Sequence, residues 1–203
     1  MLLTEYRQFK VDKQLAEQAV KQNKPLMVTG VLQRAEDKNQ NGRVYPREIL
    51  KREIDNYIQG PIKDNRAMGE LDHPESSVIN LQNVSHTVKK CWWDGDDVVG
   101  NVEILNTPAG NILKALFAAG ITVGISSRGM GSVKEISEST VEVQDDFELL
   151  CWDFVSTPST HGAFMKPSRM NESKIQIPEY KYTNVNNIIR DIICDNTGVC
   201  NIC

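Results

Sequence analysis

The sequence predicts an α+β fold in which two or three helices are inserted among many short strands, arranged as a mixed barrel or sandwich. Two observations carry that expectation. Short apolar runs bounded by Gly, Pro, Asn and Asp recur between residues 26 and 155, the pattern of strands joined by turns. The helical segments fall between groups of strands instead of alternating with every strand, as a doubly wound parallel sheet would require.

Taken in order, residues 1–25 are polar and hold one amphipathic helix around residues 11–20, forming an N-terminal helical segment. Residues 26–32 read as a strand, closed by the turn cluster Asp37 to Gly42. Pro46 suits the first turn of a helix running to about Ile58, with Ile49, Leu50, Ile54 and Tyr57 on one face, and Gly60-Pro61 stops it. A strand then approaches His73, and a polar loop follows from Pro74 to Ser77. Residues 84–93 and 98–105 flank Asp94-Gly95-Asp96-Asp97, a hairpin signal. Thr107 caps and Pro108 starts a helix through Ala119, ended by Gly120. Two further strands follow, near residues 131–136 and 141–155. From Lys166 the composition turns polar, so residues 26–167 form the main domain and 168–203 a flexible polar C-terminal tail.

With 203 residues, 40% of them hydrophobic, the chain can bury one core of ordinary domain size. Its net charge of -4 gives no footprint for direct nucleic-acid binding, and its basic residues are scattered. No apolar stretch approaches the ~20 residues that span a bilayer, so a soluble protein without membrane association is expected. Five cysteines, an odd number, fit reduced thiols in a cytoplasm.

The chemistry concentrates in Gly124-Ile125-Ser126-Ser127-Arg128-Gly129, which sets two hydroxyls beside an arginine and between glycines. A serine nucleophile needs a base within hydrogen-bond reach and a third group to orient that base. Of three histidines, His73 sits in Gly69-Glu70-Leu71-Asp72-His73-Pro74, where the proline imposes an extended or turn conformation on it. Downstream, Asp153 is a lone carboxylate in the apolar run 149–155, and a carboxylate in such a run demands a partner. Along an extended segment Ser126 and Ser127 point to opposite faces, so only one can meet His73.

These segments, together with Asn41-Gly42-Arg43-Val44-Tyr45-Pro46 and the stretch from Cys91 to Val98, resemble the prohead (capsid-maturation) serine proteases of tailed phages, of the myovirus type. The likeness covers roughly residues 27–167 in order, and the family in turn is similar to the herpesvirus assemblins. The resemblance implies a small closed β-barrel flanked by helices, with Ser126 as nucleophile, His73 as general base and Asp153 as third member of the triad. His161 is the alternative third member in the assemblin manner. The resemblance implies no cofactor and no metal. It implies capsid scaffold and core proteins and the major capsid protein as substrates, together with the protease itself, inside the immature capsid in the host cytoplasm. Homo-oligomers are compatible with it.

Family members cut after glutamate with a branched apolar residue two positions earlier, which implies an apolar pocket with a basic group, for which Arg43 and Arg128 are the candidates. In this chain Leu3-Thr4-Glu5, Leu15-Ala16-Glu17, Ile136-Ser137-Glu138 and Ile177-Pro178-Glu179 meet that pattern. The amides of Arg128 and Gly129 are candidates for the oxyanion hole.

Plainer readings stand beside these. Ser and Gly are common turn residues, and His86 on its strand reads as structural. One of Trp92 and Trp93 is expected to pack in the core. Cys194, Cys200 and Cys203 match no standard zinc spacing. Two other classes are a metallohydrolase using Glu70, Asp72, His73 and His86, which lacks a helical metal motif, and a noncatalytic capsid core or scaffold component.

Overall fold

Thr107 and Pro108 do what their positions suggest: the Thr107 hydroxyl accepts a hydrogen bond from the Gly110 amide at 3.0 Å and opens a helix over Pro108–Ala118 (α3). Its Leu113 and Phe117 enter the core. A preceding helix, Lys13–Gln22 (α1), buries Ala16 and Ala19 and packs on α3. Between them lies Arg47–Tyr57 (α2), which buries Leu50, Glu53, Ile54 and Tyr57 and ends in a π turn containing Gly60-Pro61. The computed structural model describes residues 13–74 and 76–167, all within one compact unit. The C-terminal tail, Cys194, Cys200, Cys203 and the start of the N-terminal segment lie outside the described residues.

Leu26–Arg34 (β1), Met68–Glu70 (β3), Val84–Asp94 (β4), Asp97–Ile104 (β5) and Lys166–Pro167 (β10) form an antiparallel sheet in the order β10-β1-β5-β4-β3. The β4–β5 hairpin turns at Gly95, whose φ of 62° suits glycine. Arg43–Val44 (β2), Thr140–Val143 (β8) and Val133–Ser137 (β7) form a second sheet, and Gly124–Met130 (β6) pairs with Glu148–Val155 (β9) in a third.

The single strand expected over 141–155 is thus two strands. Asp145 and Asp146 interrupt it, Phe147 N–H turns back to the Gln144 carbonyl at 3.1 Å, and the Asp146 carboxylate takes the Ser132 amide at 2.9 Å.

The α+β class is as expected, but the ladders do not close into a barrel among the described residues. The β6–β9 pair meets the edges of the five-stranded sheet through isolated bridges, Leu71 to Phe154 and Gly124 to Phe164. The reason is local at one edge. Asp72, at a φ of 70°, turns the chain away, and Pro74 has no N–H to extend a ladder. At the other edge β10 is only two residues long.

The core lies between these sheets and the helices. Phe154 sits at its centre, edge-on to Phe117 and His86, while Trp152 packs edge-on to Tyr57 at 4.8 Å.

Candidate active site

Pairing of β6 with β9 sets the first relationship in the site. Ser126 lies opposite Asp153, Ser127 opposite Trp152 and Arg128 opposite Cys151. Residues directly opposite in an antiparallel pair share a face, so Ser126, Arg128 and Asp153 project together and Ser127 projects with Trp152.

His73 reaches the same carboxylate from β3. The bridge from Leu71 to Phe154 and the Asp72 N–H to the Phe154 carbonyl, at 2.8 Å, hold the end of β3 against β9. From there His73 Nδ1 lies 2.9 Å from Asp153 Oδ2. Asp153 is fully buried, whereas the His73 side chain keeps 40% of its exposure. The Asp72 carboxylate accepts the His73 backbone amide at 2.9 Å and so serves the main chain.

Asp153 is heavily supported. Its Oδ1 accepts the Glu70 amide at 2.9 Å and Arg128 at 3.2 Å, with the Cys151 thiol at 3.5 Å. Arg128 Nε stands 2.9 Å from Oδ2 without hydrogen-bond geometry. Burial alone would raise the Asp153 pKa, but the His73 and Glu70 hydrogen bonds and the Arg128 charge outweigh it and hold the pKa below the ordinary value. The carboxylate is therefore ionised, and an ionised acceptor requires the proton on His73 Nδ1, which leaves Nε2 as the basic nitrogen. Burial pushes the neighbouring Cys151 thiol up to about 12, so it stays protonated.

Ser126 is buried, and its hydroxyl is 2.9 Å from Ser159 Oγ. No hydrogen bond joins Ser126 to His73 among the described residues. Ser127 is less buried and borders a cavity of about 230 Å³ that also touches Arg43, Tyr45, His73, Gly129 and Phe147. The two observations pull apart: the cavity favours Ser127, and the shared face with Asp153 favours Ser126. The shared face fixes side-chain direction, whereas a strand residue can border a cavity through its backbone.

The β6–β9 register slips between Arg128 and Gly129, with Leu150 the extra residue on β9. A Cβ on Gly129 would lie 2.5 Å from the Phe147 ring and 2.6 Å from the Glu148 carbonyl, so only glycine brings the backbone this close to β9.

The Arg128 side chain is buried, and its guanidinium contacts Glu70 Oε1 at 2.9 Å, the Ser76 carbonyl at 2.6 Å and Asp153. It is thus occupied inside the protein. Arg43 borders the cavity from β2 and stays exposed.

Other sequence candidates fall elsewhere. His86 is fully buried; its Nδ1 meets Ser85 Oγ at 2.8 Å and its Nε2 meets the Trp152 carbonyl at 3.0 Å. Burial lowers its pKa to about 4, so the ring is neutral and structural. His161 is exposed on a turn, and the ring partner of His73 is Asp153. Glu70, Asp72, His73 and His86 do not converge, and among the described residues no three His, Cys, Asp or Glu side chains gather as a metal-binding set. Trp92 and Trp93 are half-buried and do not line the cavity; Arg47 lies over the Trp93 ring.

Sequence reasoning missed the Glu70–Arg128 ion pair and the Ser126–Ser159 contact. The pair had one legible signal. An arginine inside a buried strand needs a counter-charge, and Glu70 lies beside the histidine that shares its site.

A family model described as prohead core protein serine protease matches residues 9–175. The chain is 32% identical over 152 residues to the prohead core protein protease of Enterobacteria phage T4, covering 73% of this chain and 72% of that one. It is also similar to the solved structure of the bacteriophage T4 capsid assembly protease, with a TM-score of 0.62 and 31% identity over 65% of this chain and 82% of that chain.

Proposed function

Because the chain belongs to the family of prohead core protein serine proteases, a family of capsid-maturation enzymes, we propose that it is a serine endopeptidase in which Ser126, His73 and Asp153 form the catalytic triad. The observation that carries this reading is the single carboxylate, Asp153, which bonds His73 Nδ1 on one side and faces Ser126 across the β6–β9 ladder. In the reaction Ser126 Oγ leaves Ser159 and turns to His73 Nε2. The imidazole takes its proton as Oγ attacks the scissile carbonyl, then delivers that proton to the leaving amine. Asp153 fixes the ring and stabilises the imidazolium. The Arg128 and Gly129 amides are our candidates to receive the oxyanion, beside the point where the β6–β9 register slips past Leu150.

The cavity supplies the substrate's acidic side chain with Arg43 at its rim and offers apolar contacts from Tyr45, Val143 and Phe147. Arg128 passes this role to Arg43, its own guanidinium being engaged within the protein. The two isolated bridges support reading the five-stranded sheet and the β6–β9 pair as a split barrel that sets three sequence-distant side chains on one frame.

Within the prohead, the substrates are core or scaffold proteins and the capsid protein. The protease also cuts itself. Leu15-Ala16-Glu17 lies in α1 with Ala16 buried, whereas Ile136-Ser137-Glu138 is exposed at the β7–β8 turn and is the more accessible site. Leu3-Thr4-Glu5 and Ile177-Pro178-Glu179 lie outside the described residues. The metallohydrolase and noncatalytic readings are not favoured by the family or by the side-chain geometry.

The test is cleavage of a peptide holding an apolar residue, any residue, then glutamate. His73→Ala should lower kcat/KM by about 10³-fold or more, and Arg43→Gln should raise KM for this peptide. Undiminished cleavage by His73→Ala would refute the reading.

A further inference from the structure

Glu70 is a fully buried carboxylate that the triad itself does not use. Its Oε1 accepts both Arg128 Nη2, at 2.9 Å, and the Asn80 amide, at 3.1 Å, while Oε2 has no hydrogen-bond partner among the described residues. Arg128 in turn touches Asp153. Three charges thus stand in a row behind His73: Glu70, Arg128 and Asp153.

The order matters electrostatically. A guanidinium in contact with Asp153 holds that carboxylate ionised, yet the same positive charge opposes protonation of His73. Without Glu70, the Arg128 charge would offset part of the attraction that Asp153 offers the imidazolium. With Glu70 present, the row keeps one net negative charge.

We infer that Glu70 and Arg128 are positioning residues of the reaction: Glu70 neutralises Arg128, so the charge of Asp153 stays available to His73. The same pair ties the segment after His73 in place, because Arg128 donates to the Ser76 carbonyl and Glu70 receives the Asn80 amide. This inference rests on the triad reading only for its link to catalysis. The charged and titratable groups at His73 and behind its partner Asp153 are Asp153 itself and Cys151 from β9, Arg128 from β6, Glu70 from β3 against Arg128, adjacent Asp72, and Arg43 across the cavity.

The test is the titration midpoint of the His73 ring, followed by proton NMR of full-length Ser126→Ala protein and assigned by loss of its signal in His73→Gln. Glu70→Gln keeps the shape and the Oε1 acceptor but removes the charge, and should move the midpoint to lower pH by ~0.5 unit or more. Arg128→Gln should move it to higher pH, and the double variant should return close to the parent. A purely structural role would not produce shifts of opposite sign that cancel. Where Glu70→Gln fails to fold, the upward shift in Arg128→Gln tests the same charge balance. Unmoved midpoints in folded variants, shifts of the same sign, or collapse of all three variants would overturn the inference. Failure of the triad reading shows separately, as full peptidase activity in His73→Ala with the midpoints still moving in opposite directions.

Discussion

Ser126 and Asp153 occupy opposite positions on adjacent antiparallel strands, so a hydroxyl and a buried carboxylate project from one face of the β6–β9 ladder. His73 enters from a different strand and binds the carboxylate at 2.9 Å. Ser126 projects from the Asp153 face of that ladder, whereas the adjacent Ser127 projects with Trp152.

Ser126→Ala should therefore lower peptide cleavage by about 10³-fold or more, while Ser127→Ala keeps a substantial part of it. Both proteins should melt near the parent, because losing one hydroxyl at either position opens no large cavity. Steady-state kinetics on the two variants decide the matter. Full activity in Ser126→Ala would transfer the role to Ser127, which borders the cavity.

Activity should persist in excess chelator, since the proposed mechanism carries the proton on His73, with Asp153 holding the ring, and invokes no metal. Inactivation by chelator with recovery on adding zinc would instead support metal chemistry at Glu70, Asp72, His73 and His86. Those four do not converge, with His86 turned to the Trp152 carbonyl and Glu70 to Arg128.

Much of the site was legible because its members announce themselves locally. The Thr107-Pro108 helix start, the Asp94–Asp97 hairpin and a lone aspartate in an apolar strand follow from capping, turn chemistry and the cost of burying charge. Sequence alternation also set Ser126 and Ser127 on opposite faces, as the ladder has them, while the choice of Ser126 came from the family resemblance. What stayed hidden depends on contacts between segments far apart in the chain. Arg128 reads as a surface-ready guanidinium until β3 is laid beside β9 and brings Glu70 to it. Likewise, the short β3 and β10 leave single bridges where a continuous barrel ladder was expected, because strand length at those edges depends on Asp72, Pro74 and the chain's exit from β10.

Gly69 should tolerate no side chain. A Cβ there would stand 2.0 Å from the Trp152 carbonyl oxygen and 2.4 Å from His86 Nε2, both fixed in the buried interior. Gly69→Ala should cost about 3 kcal/mol or more by overpacking, and should reduce activity further by displacing the Glu70 amide from Asp153. Gly60→Ala, with nothing within 4 Å of the new methyl, is the control and should unfold close to the parent. Denaturant midpoints and activity of both variants check this, and equal midpoints would dismiss the steric argument.

His86 should make the fold sensitive to acid. Burial lowers its pKa from 6.5 to about 4 in the folded state, so the unfolded chain takes up a proton there before the folded chain does. The stability this contributes is complete above pH 6.5 and is lost as pH falls toward 4, roughly 3 kcal/mol at about 1.4 kcal/mol per unit. Asp153 acts in the same direction at lower pH. Its folded pKa lies below the ordinary 3.8, so its contribution is present above that value and disappears as pH falls through the folded one. Denaturant midpoints of Ser126→Ala protein, measured from pH 7 to 4, should fall through this window. His86→Gln has no ring to protonate; it should begin less stable at pH 7, having lost the fitted contacts to Ser85 and Trp152, and then show a flatter pH dependence. A parent midpoint that stays level down to pH 4.5, or an equal slope in His86→Gln, would show that the acid sensitivity does not arise at this histidine.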